Sequence, residues 1–145
     1  MTDQMTLTET HRVLVAEDDP HDQMLFIMAA EDANASIKLE FMPNGEEFLT
    51  ELRRMAAADD LPAMAVLDMR MPRMSGHDVL DVLGREPAIC PAEVGVFSTS
   101  HRHEDVVESL TKGAAWHEVK PSKFEELVAF IRRIDQRCHE LGQGS

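Results

Sequence analysis

The chain has 145 residues, the length of one domain, and 43% of them are hydrophobic, which is enough for an apolar core. The 27 acidic residues outnumber the 14 basic residues, and the net charge of −13 should repel nucleic-acid phosphates and anionic membranes. No apolar run approaches the roughly 20 residues of a membrane helix, and the polar start lacks a signal-peptide pattern, so we expect a cytoplasmic protein that binds neither nucleic acid nor membrane.

Short apolar runs alternate along the chain with longer segments of helical period, which predicts five β-α pairs. Such pairs with right-handed crossovers form an α/β fold, in which helices cover both faces of a five-stranded parallel sheet. The predicted strands, in chain order, are residues 13–16, 37–42, 63–67, 94–97 and 117–119.

Cap residues predict where the helices between these strands begin and end. In the first helix, we expect Leu25, Met28 and Ala29 to form the apolar stripe. The predicted starts are Asp19-Pro20, Asn44 with Glu47, Ser75, Arg102, and Ser122 with Glu125, and the third and fourth helices should end at Gly84 and Gly113.

Four of the five strands end on polar side chains, namely Glu17-Asp18-Asp19, Asp68, Ser98 and Lys120. Ligands of parallel sheets bind beyond the carboxyl ends of the strands, so these residues should meet at one edge. The carboxylates would repel one another unless a cation lay among them, and an oxygen-only cluster suits Mg²⁺. Together with a hydroxyl and an ammonium group, they are the groups that a transferred phosphoryl group requires.

With these residues, the chain resembles the receiver domains of two-component response regulators over about residues 12–140. The matching segments are Val15 to Pro20, Asp68 to Pro72 with Gly76, Ser98-Thr99, and Lys120-Pro121. The resemblance implies a doubly wound sheet of flavodoxin-like strand order 2-1-3-4-5. It also implies a receiver domain over 12–141. The composition of the ends separately predicts a flexible N-terminal tail of 1–11 and a C-terminal tail of 142–145.

Receivers accept a phosphoryl group from a histidine kinase, and the resemblance assigns a role to each matching residue. It implies that Asp68 is the phosphoacceptor and that Glu17, Asp18, Asp68 and the backbone carbonyl of Arg70 hold Mg²⁺. Ser98 and Lys120 would contact the phosphoryl oxygens. The only implied chemistry is on the protein's own carboxylate, so we do not expect an enzyme in the ordinary sense.

Other matching positions concern how long the phosphoryl group lasts and how phosphorylation is passed on to a partner. Arg70 and Ser100 occupy positions that tune phosphoryl lifetime in the family. Receivers commonly have Thr at the position of Ser98 and an aromatic residue at the position of His117, so this chain departs from the pattern at both. The imidazole of His117 could replace the aromatic ring, or neighbouring Trp116 could face a partner.

A stand-alone, CheY-like receiver would act through surfaces of its own domain. Its role would be a phosphorelay shuttle, a phosphate sink, or a switch that binds a downstream protein. Similar stand-alone receivers accompany sensor kinases, some of them phytochrome-like, and some form homodimers through the fourth helix, the fifth strand and the fifth helix. Both features are therefore expectations for this chain.

Two other classes of function compete with this interpretation. A phosphatase of the haloacid dehalogenase type also uses an aspartate at a strand end, but it needs a second acid two residues later, where this chain has Arg70. A pseudo-receiver that only binds a partner would be expected to lack one of Glu17, Asp18, Asp68 and Lys120. All four are present.

Overall fold

The computed structural model describes residues 10–99 and 102–143, which form a parallel sheet between two layers of helices. The strand order is β2-β1-β3-β4-β5, which confirms the predicted fold. All four strand pairings are parallel. The strands are β1 (His11–Ala16), β2 (Ile37–Met42), β3 (Met64–Leu67), β4 (Glu93–Ser98) and β5 (Trp116–Val119).

The helices follow the strands in the predicted alternation. They are α1 (Pro20–Asp32), α2 (Gly45–Ala57), α3 (Gly76–Arg85), α4 (His103–Thr111) and α5 (Phe124–Gln143), and a short 3-10 helix at Pro87–Ile89 follows α3. None of these helices, within the described ranges, has both the length and the apolarity needed to cross a membrane.

Each face of the sheet has its own apolar core, because side chains alternate along every strand. Leu14, Leu67 and Val96 pack with the buried stripes of α2 and α3 on one face. Val15 and Phe97 belong to the core on the other face, beneath α1 and α5. The central strands are buried on both sides, which explains their nearly continuous apolar sequences.

Three of the predicted helix caps are present. Asp19 Oδ1 accepts a hydrogen bond from the backbone of His21, and Asn44 Oδ1 accepts one from Glu47. Ser75 and Asp78 exchange the two hydrogen bonds of a capping box at the start of α3. Gly113 follows α4 with a φ of 107°, a conformation that glycine adopts without a steric penalty.

Other local predictions were wrong. Gly84 lies inside α3, because the hydrogen-bond ladder continues to Glu86, whose N–H donates to the carbonyl of Val82. Helix α5 begins after Lys123, whose carbonyl accepts from Leu127, so Ser122 is not the residue that caps it. In α1 the predicted stripe is wrong at Met28, which lies about 200° from the buried Phe26 around the helix and is 47% exposed. Ala29 is buried and Leu25 packs against the core, as predicted.

The regular structure also extends past both predicted domain boundaries. Strand β1 begins at His11, whose N–H donates to the carbonyl of Ser36, so residue 11 belongs to the sheet and not to a tail. Helix α5 continues to Gln143, so residues 142 and 143 belong to the helix and not to a tail. The rest of the two predicted tails, residues 1–9 and 144–145, lies outside the described residues.

Candidate functional site

The predicted site residues lie together at the carboxyl ends of the strands. Glu17 and Asp18 follow β1 and Asp68 follows β3, and these three residues each offer a carboxylate oxygen within 4.8 Å of the others. Glu17 and Asp68 are buried, whereas Asp18 is exposed. The arrangement leaves one open side through which an ion can enter.

Lys120, directly after β5, connects the acidic residues. Its Nζ lies 2.9 Å from Glu17 Oε1 and 3.0 Å from Asp68 Oδ2. A third contact, 3.2 Å long, joins it to Oδ2 of Asp22 in the first turn of α1. Lys120 therefore neutralises part of the charge that these carboxylates bring together.

Burial controls the protonation of this cluster. Loss of water raises the pKa of the Glu17 carboxyl from its usual 4.5 to about 7, and the hydrogen bond from Lys120 offsets only part of that effect. Burial opposes the charged form of Lys120 too, but hydrogen bonds and attraction from Glu17 and Asp68 outweigh it and raise the lysine pKa. Lys120 therefore stays charged, whereas the carboxyl of Glu17 takes up a proton near neutral pH.

Both carboxylate oxygens of Asp68 are oriented by the surrounding chain. Oδ1 accepts a hydrogen bond of 3.0 Å from the backbone N–H of Arg70, and Oδ2 faces Lys120. Gly76 lets α3 approach this loop, since a Cβ at this position would lie 2.9 Å from Cα of Met69 and 3.0 Å from the carbonyl oxygen of Asp68. Asp68 thus has a fixed orientation before any ligand binds.

Ser98 ends β4 as a fully buried residue. Its carbonyl accepts a hydrogen bond of 2.8 Å from the N–H of Lys120, which ties the ends of β4 and β5 together. Ser98 also lines a cavity of about 170 Å³ with Met69, Arg70, His77 and Asp105. The structure therefore places Ser98 and Arg70 beside one small space near Asp68, while Ser100 lies outside the described residues.

His117 is held against α4 and not against the apolar core of α1 and α5. Its Nδ1 lies 2.8 Å from Ser109 Oγ, and Ser109 Oγ lies 3.0 Å from the carbonyl of Val106. A carbonyl only accepts, so the hydroxyl proton of Ser109 goes to Val106, and Oγ then accepts the proton that His117 carries on Nδ1. The polar ring at this position therefore connects β5 directly to α4.

Trp116 points to the opposite face of the sheet. Its indole lies over Gly95, where even a Cβ would come within 2.0 Å of the ring, and it meets Phe130 edge-on. Its ring belongs with the α5 face, and it lines a groove with residues of that helix such as Arg133 and Arg137. The strand alternation separates the environments of Trp116 and His117.

Asp22 is a residue of this site that the sequence reasoning missed. It lies one helical turn before Phe26 and therefore on the face of α1 that meets the sheet. An inward Phe26 would have been the signal, but the predicted stripe consisted of Leu25, Met28 and Ala29. With Asp22 included, Lys120 contacts carboxylates from the ends of β1 and β3 and from α1.

The donors at this edge fit Mg²⁺. Glu17, Asp18 and Asp68 offer only carboxylate oxygens, which are the ligands of a hard cation, and the exposed side of Asp18 leaves room for the water ligands that Mg²⁺ retains. Burial raises the pKa of Glu17, and a bound cation would favour the ionised form that burial disfavours.

Sequence comparison finds relatives over most of the chain. The family model described as response regulator receiver domain matches residues 13–132. The probable methanogenesis regulatory protein FilR2 of Methanothrix harundinacea is 28% identical over 125 residues, which are 86% of this chain and 81% of FilR2. The DNA-binding response regulator MtrA of Mycolicibacterium smegmatis is 28% identical over 86% of this chain, but the match spans only 50% of MtrA.

Solved structures of similar fold include two regulators linked to red light or phytochrome. A response regulator in red light signalling of R. palustris is 28% identical, with a TM-score of 0.76 over 86% of this chain and 90% of that chain. The phosphorylated cyanobacterial phytochrome response regulator RcpA is 22% identical, with a TM-score of 0.78 over 88% of this chain and 93% of RcpA. The second likeness concerns the fold alone.

Proposed function

Because this chain belongs to the response regulator receiver domains of two-component systems, we propose that it accepts a phosphoryl group from a sensor histidine kinase on Asp68. The observation that supports this role is the convergence of Glu17, Asp18, Asp68 and Lys120 at the carboxyl edge of the sheet. A structural ion pair needs one carboxylate for the lysine, whereas Lys120 contacts Glu17, Asp22 and Asp68, and Asp18 lies beside two of them.

In the proposed transfer, a carboxylate oxygen of Asp68 forms a bond to phosphorus while the bond from phosphorus to the kinase histidine breaks. The N–H of Arg70 holds Oδ1, which limits the rotation of the carboxylate. Lys120, kept next to Asp68 by Glu17 and Asp22, can turn its ammonium group to the phosphoryl oxygens as charge spreads over them. The hydroxyl of Ser98 is the proposed second donor to those oxygens.

The proposed cofactor is Mg²⁺, held by Glu17, Asp18, Asp68 and the backbone carbonyl of Arg70. When bound, the ion supplies positive charge that a carboxylate nucleophile and a phosphoryl group both need. The chemistry we propose is confined to Asp68, as phosphotransfer and its reversal by hydrolysis, in a cytoplasmic protein that is not otherwise an enzyme. Arg70 and Ser100 would then set how long the phosphoryl group lasts.

We propose that phosphorylation is read out through α4, β5 and the start of α5. Inward movement of Ser98 would disturb β5, and His117 on β5 is hydrogen-bonded to Ser109 of α4. This region also exposes apolar side chains suited to a protein partner or a second copy, namely Val107, Leu110, Val119 and Phe124. The similar red-light regulator supports a phytochrome-like kinase as the proposed donor.

There are two alternatives to a phosphorylated switch that binds a partner: a protein that passes the phosphoryl group on, and a protein that is never phosphorylated. A phosphorelay intermediate or phosphate sink would use the same Asp68 and pass the group on without a stable partner. A pseudo-receiver would bind its partner without phosphorylation, through the same exposed surface. The intact set of Glu17, Asp18, Asp68 and Lys120 favours the phosphorylated forms over the pseudo-receiver.

Phosphorylation can be tested with acetyl phosphate and Mg²⁺ followed by intact-protein mass spectrometry. We expect one acid-stable, hydroxylamine-labile phosphoryl group on the wild type and none on Asp68→Asn. Asp22→Asn is the matched control, because Asp22 also contacts Lys120 but has no role as nucleophile; it should still be labelled. Labelling of Asp68→Asn at another residue would overturn the assignment, and an unlabelled wild type that still binds its partner would support the pseudo-receiver.

A further inference from the structure

We propose that His77, Asp105 and Glu108 form a second metal site, separate from the proposed Mg²⁺ site, that binds a borderline divalent ion such as Zn²⁺ and joins α3 to α4. The three residues each offer a donor atom, and these atoms lie within 4.8 Å of one another. His77 is in the first turn of α3, whereas Asp105 and Glu108 are three residues apart on α4 and share one face of that helix.

The strongest indication is the state of the His77 ring. Its Nδ1 is buried, and no atom of the described residues forms a hydrogen bond with it. Buried polar atoms nearly always have a partner, so an orphaned imidazole nitrogen calls for a ligand. Neutral imidazole nitrogen is the most common metal ligand in proteins.

The distances fit coordination better than a hydrogen bond. Nδ1 of His77 lies 3.6 Å from Oε2 of Glu108, beyond the usual range of about 2.7–3.2 Å for a hydrogen bond. Two donors that each lie about 2.0–2.1 Å from a tetrahedral ion are separated by roughly 3.4 Å. The nitrogen and the carboxylate oxygen therefore already have nearly the spacing of two ligands of one ion.

Lys112 is a competing cation in this cluster, and its position is compatible with metal binding. Its Nζ lies 3.1 Å from Oε2 of Glu108 and 3.2 Å from Oδ2 of Asp81. Oε2 of Glu108 is also the oxygen that lies 3.6 Å from His77 Nδ1, so an ion bound there would leave Lys112 to pair with the second oxygen of Glu108 or with Asp81. Lys112 would then orient the ligand, as hydrogen-bonding groups around metal ligands commonly do.

The donor types separate this site from the site at Asp68. One imidazole nitrogen with two carboxylates suits Zn²⁺ and similar borderline ions, whereas the oxygen-only set of Glu17, Asp18 and Asp68 suits Mg²⁺. The cavity of about 170 Å³ that both His77 and Asp105 line provides space for a water ligand and a route for the ion. An ion held there would restrain α4 against α3.

The test is a competition titration of Zn²⁺ against a chromophoric chelator, with the whole chain and excess Mg²⁺ to occupy the oxygen-only site. We expect one Zn²⁺ site in the wild type, weakened by roughly tenfold or more in His77→Gln and in Glu108→Gln. His103→Gln changes another histidine near the start of the same α4 helix, and Asp68→Asn changes the other cluster; both should bind Zn²⁺ as the wild type does.

A second measurement does not depend on any variant folding. Zn²⁺ should shift the imidazole nitrogen resonances of His77 in the wild type at one equivalent. If the ring resonances move only with pH and not with Zn²⁺, His77 forms an ion pair with Glu108 and the proposal is wrong. Equal loss of Zn²⁺ binding in His103→Gln, or its loss in Asp68→Asn but not in His77→Gln, would also overturn it.

Discussion

Replacement of Lys120 by methionine should show how much this domain depends on the cation among its buried acids. The change keeps the length of the side chain and removes its charge. It leaves Glu17 and Asp68 buried and facing each other without the ammonium group that lies 2.9 and 3.0 Å from them. In the absence of divalent ions, we therefore expect the free energy of unfolding to fall.

The size of the loss follows from burial. Lys120 is 15% exposed, and its partners Glu17 and Asp68 are 2% and 9% exposed. Removal of one partner from a buried ion pair costs about 3–5 kcal/mol. Proton uptake by Glu17 relieves part of this cost, so we expect a loss of about 3 kcal/mol near neutral pH.

Urea denaturation followed by circular dichroism, with chelator or with Mg²⁺, measures this loss. Mg²⁺ should stabilise Lys120→Met more than the wild type, because an ion among the acids replaces the missing charge. Lys112→Met is the matched control, since Lys112 also bridges two carboxylates but lies among exposed groups, and its loss should be about 0–1 kcal/mol. Equal losses in the two variants, or a Lys120→Met loss that Mg²⁺ leaves unchanged, would refute the reasoning.

Further predictions concern Glu17 and the contact of α3 with the Asp68 loop. Burial raises the pKa of Glu17 from 4.5 to about 7, so the metal-free domain should lose stability as the pH rises between these values, because the unfolded chain ionises first. Mg²⁺ binding needs the ionised carboxylate, and calorimetry should show its affinity falling by up to about tenfold per pH unit below about 7; equal affinities on both sides of this pH would contradict the shift. Gly76→Ala places a Cβ against the backbone at Asp68 and Met69 and should cost about 1–3 kcal/mol in thermal or urea unfolding. In the same helix Gly84→Ala meets no neighbour and should be neutral or stabilising, so a similar loss in both variants would count against a specific clash.

The grouping of the site residues at one edge of the sheet could be predicted from the sequence, because the carboxyl ends of parallel strands lie at the same edge. Once the apolar runs before Glu17, Asp68, Ser98 and Lys120 are strands of one parallel sheet, their carboxyl ends must lie at the same edge. That inference needs only the strand ends and not the packing of any helix. The same reasoning holds for the caps at Asp19, Asn44 and Ser75, since each depends on hydrogen bonds within a few residues.

The residues that could not be predicted from the sequence owe their positions to the rotation and packing of helices. Asp22 reaches Lys120 only because α1 turns Phe26 inward, and the sequence pattern of α1 is too weakly amphipathic to favour that rotation over the alternative with Met28 inward. His77 meets Glu108 through the packing of α3 against α4, which no local sequence pattern reports. Gly84 could not be distinguished from a helix end, because glycine is tolerated at both places.

Helix α4 buries less apolar surface than its neighbours do, and this affects how phosphorylation could change the surface of the domain. Helices α2 and α3 bury apolar stripes that include Leu52 and Leu80, whereas the one buried residue of α4 is Ser109. Polar contacts therefore carry much of its attachment, through Ser109 to His117 and, at the end of the helix, through Lys112 to Asp81 of α3. An element with little apolar burial moves at low cost. We therefore expect a change of hydrogen bonding at His117, or an ion bound at His77, to reposition α4 more readily than the helices that bury apolar stripes.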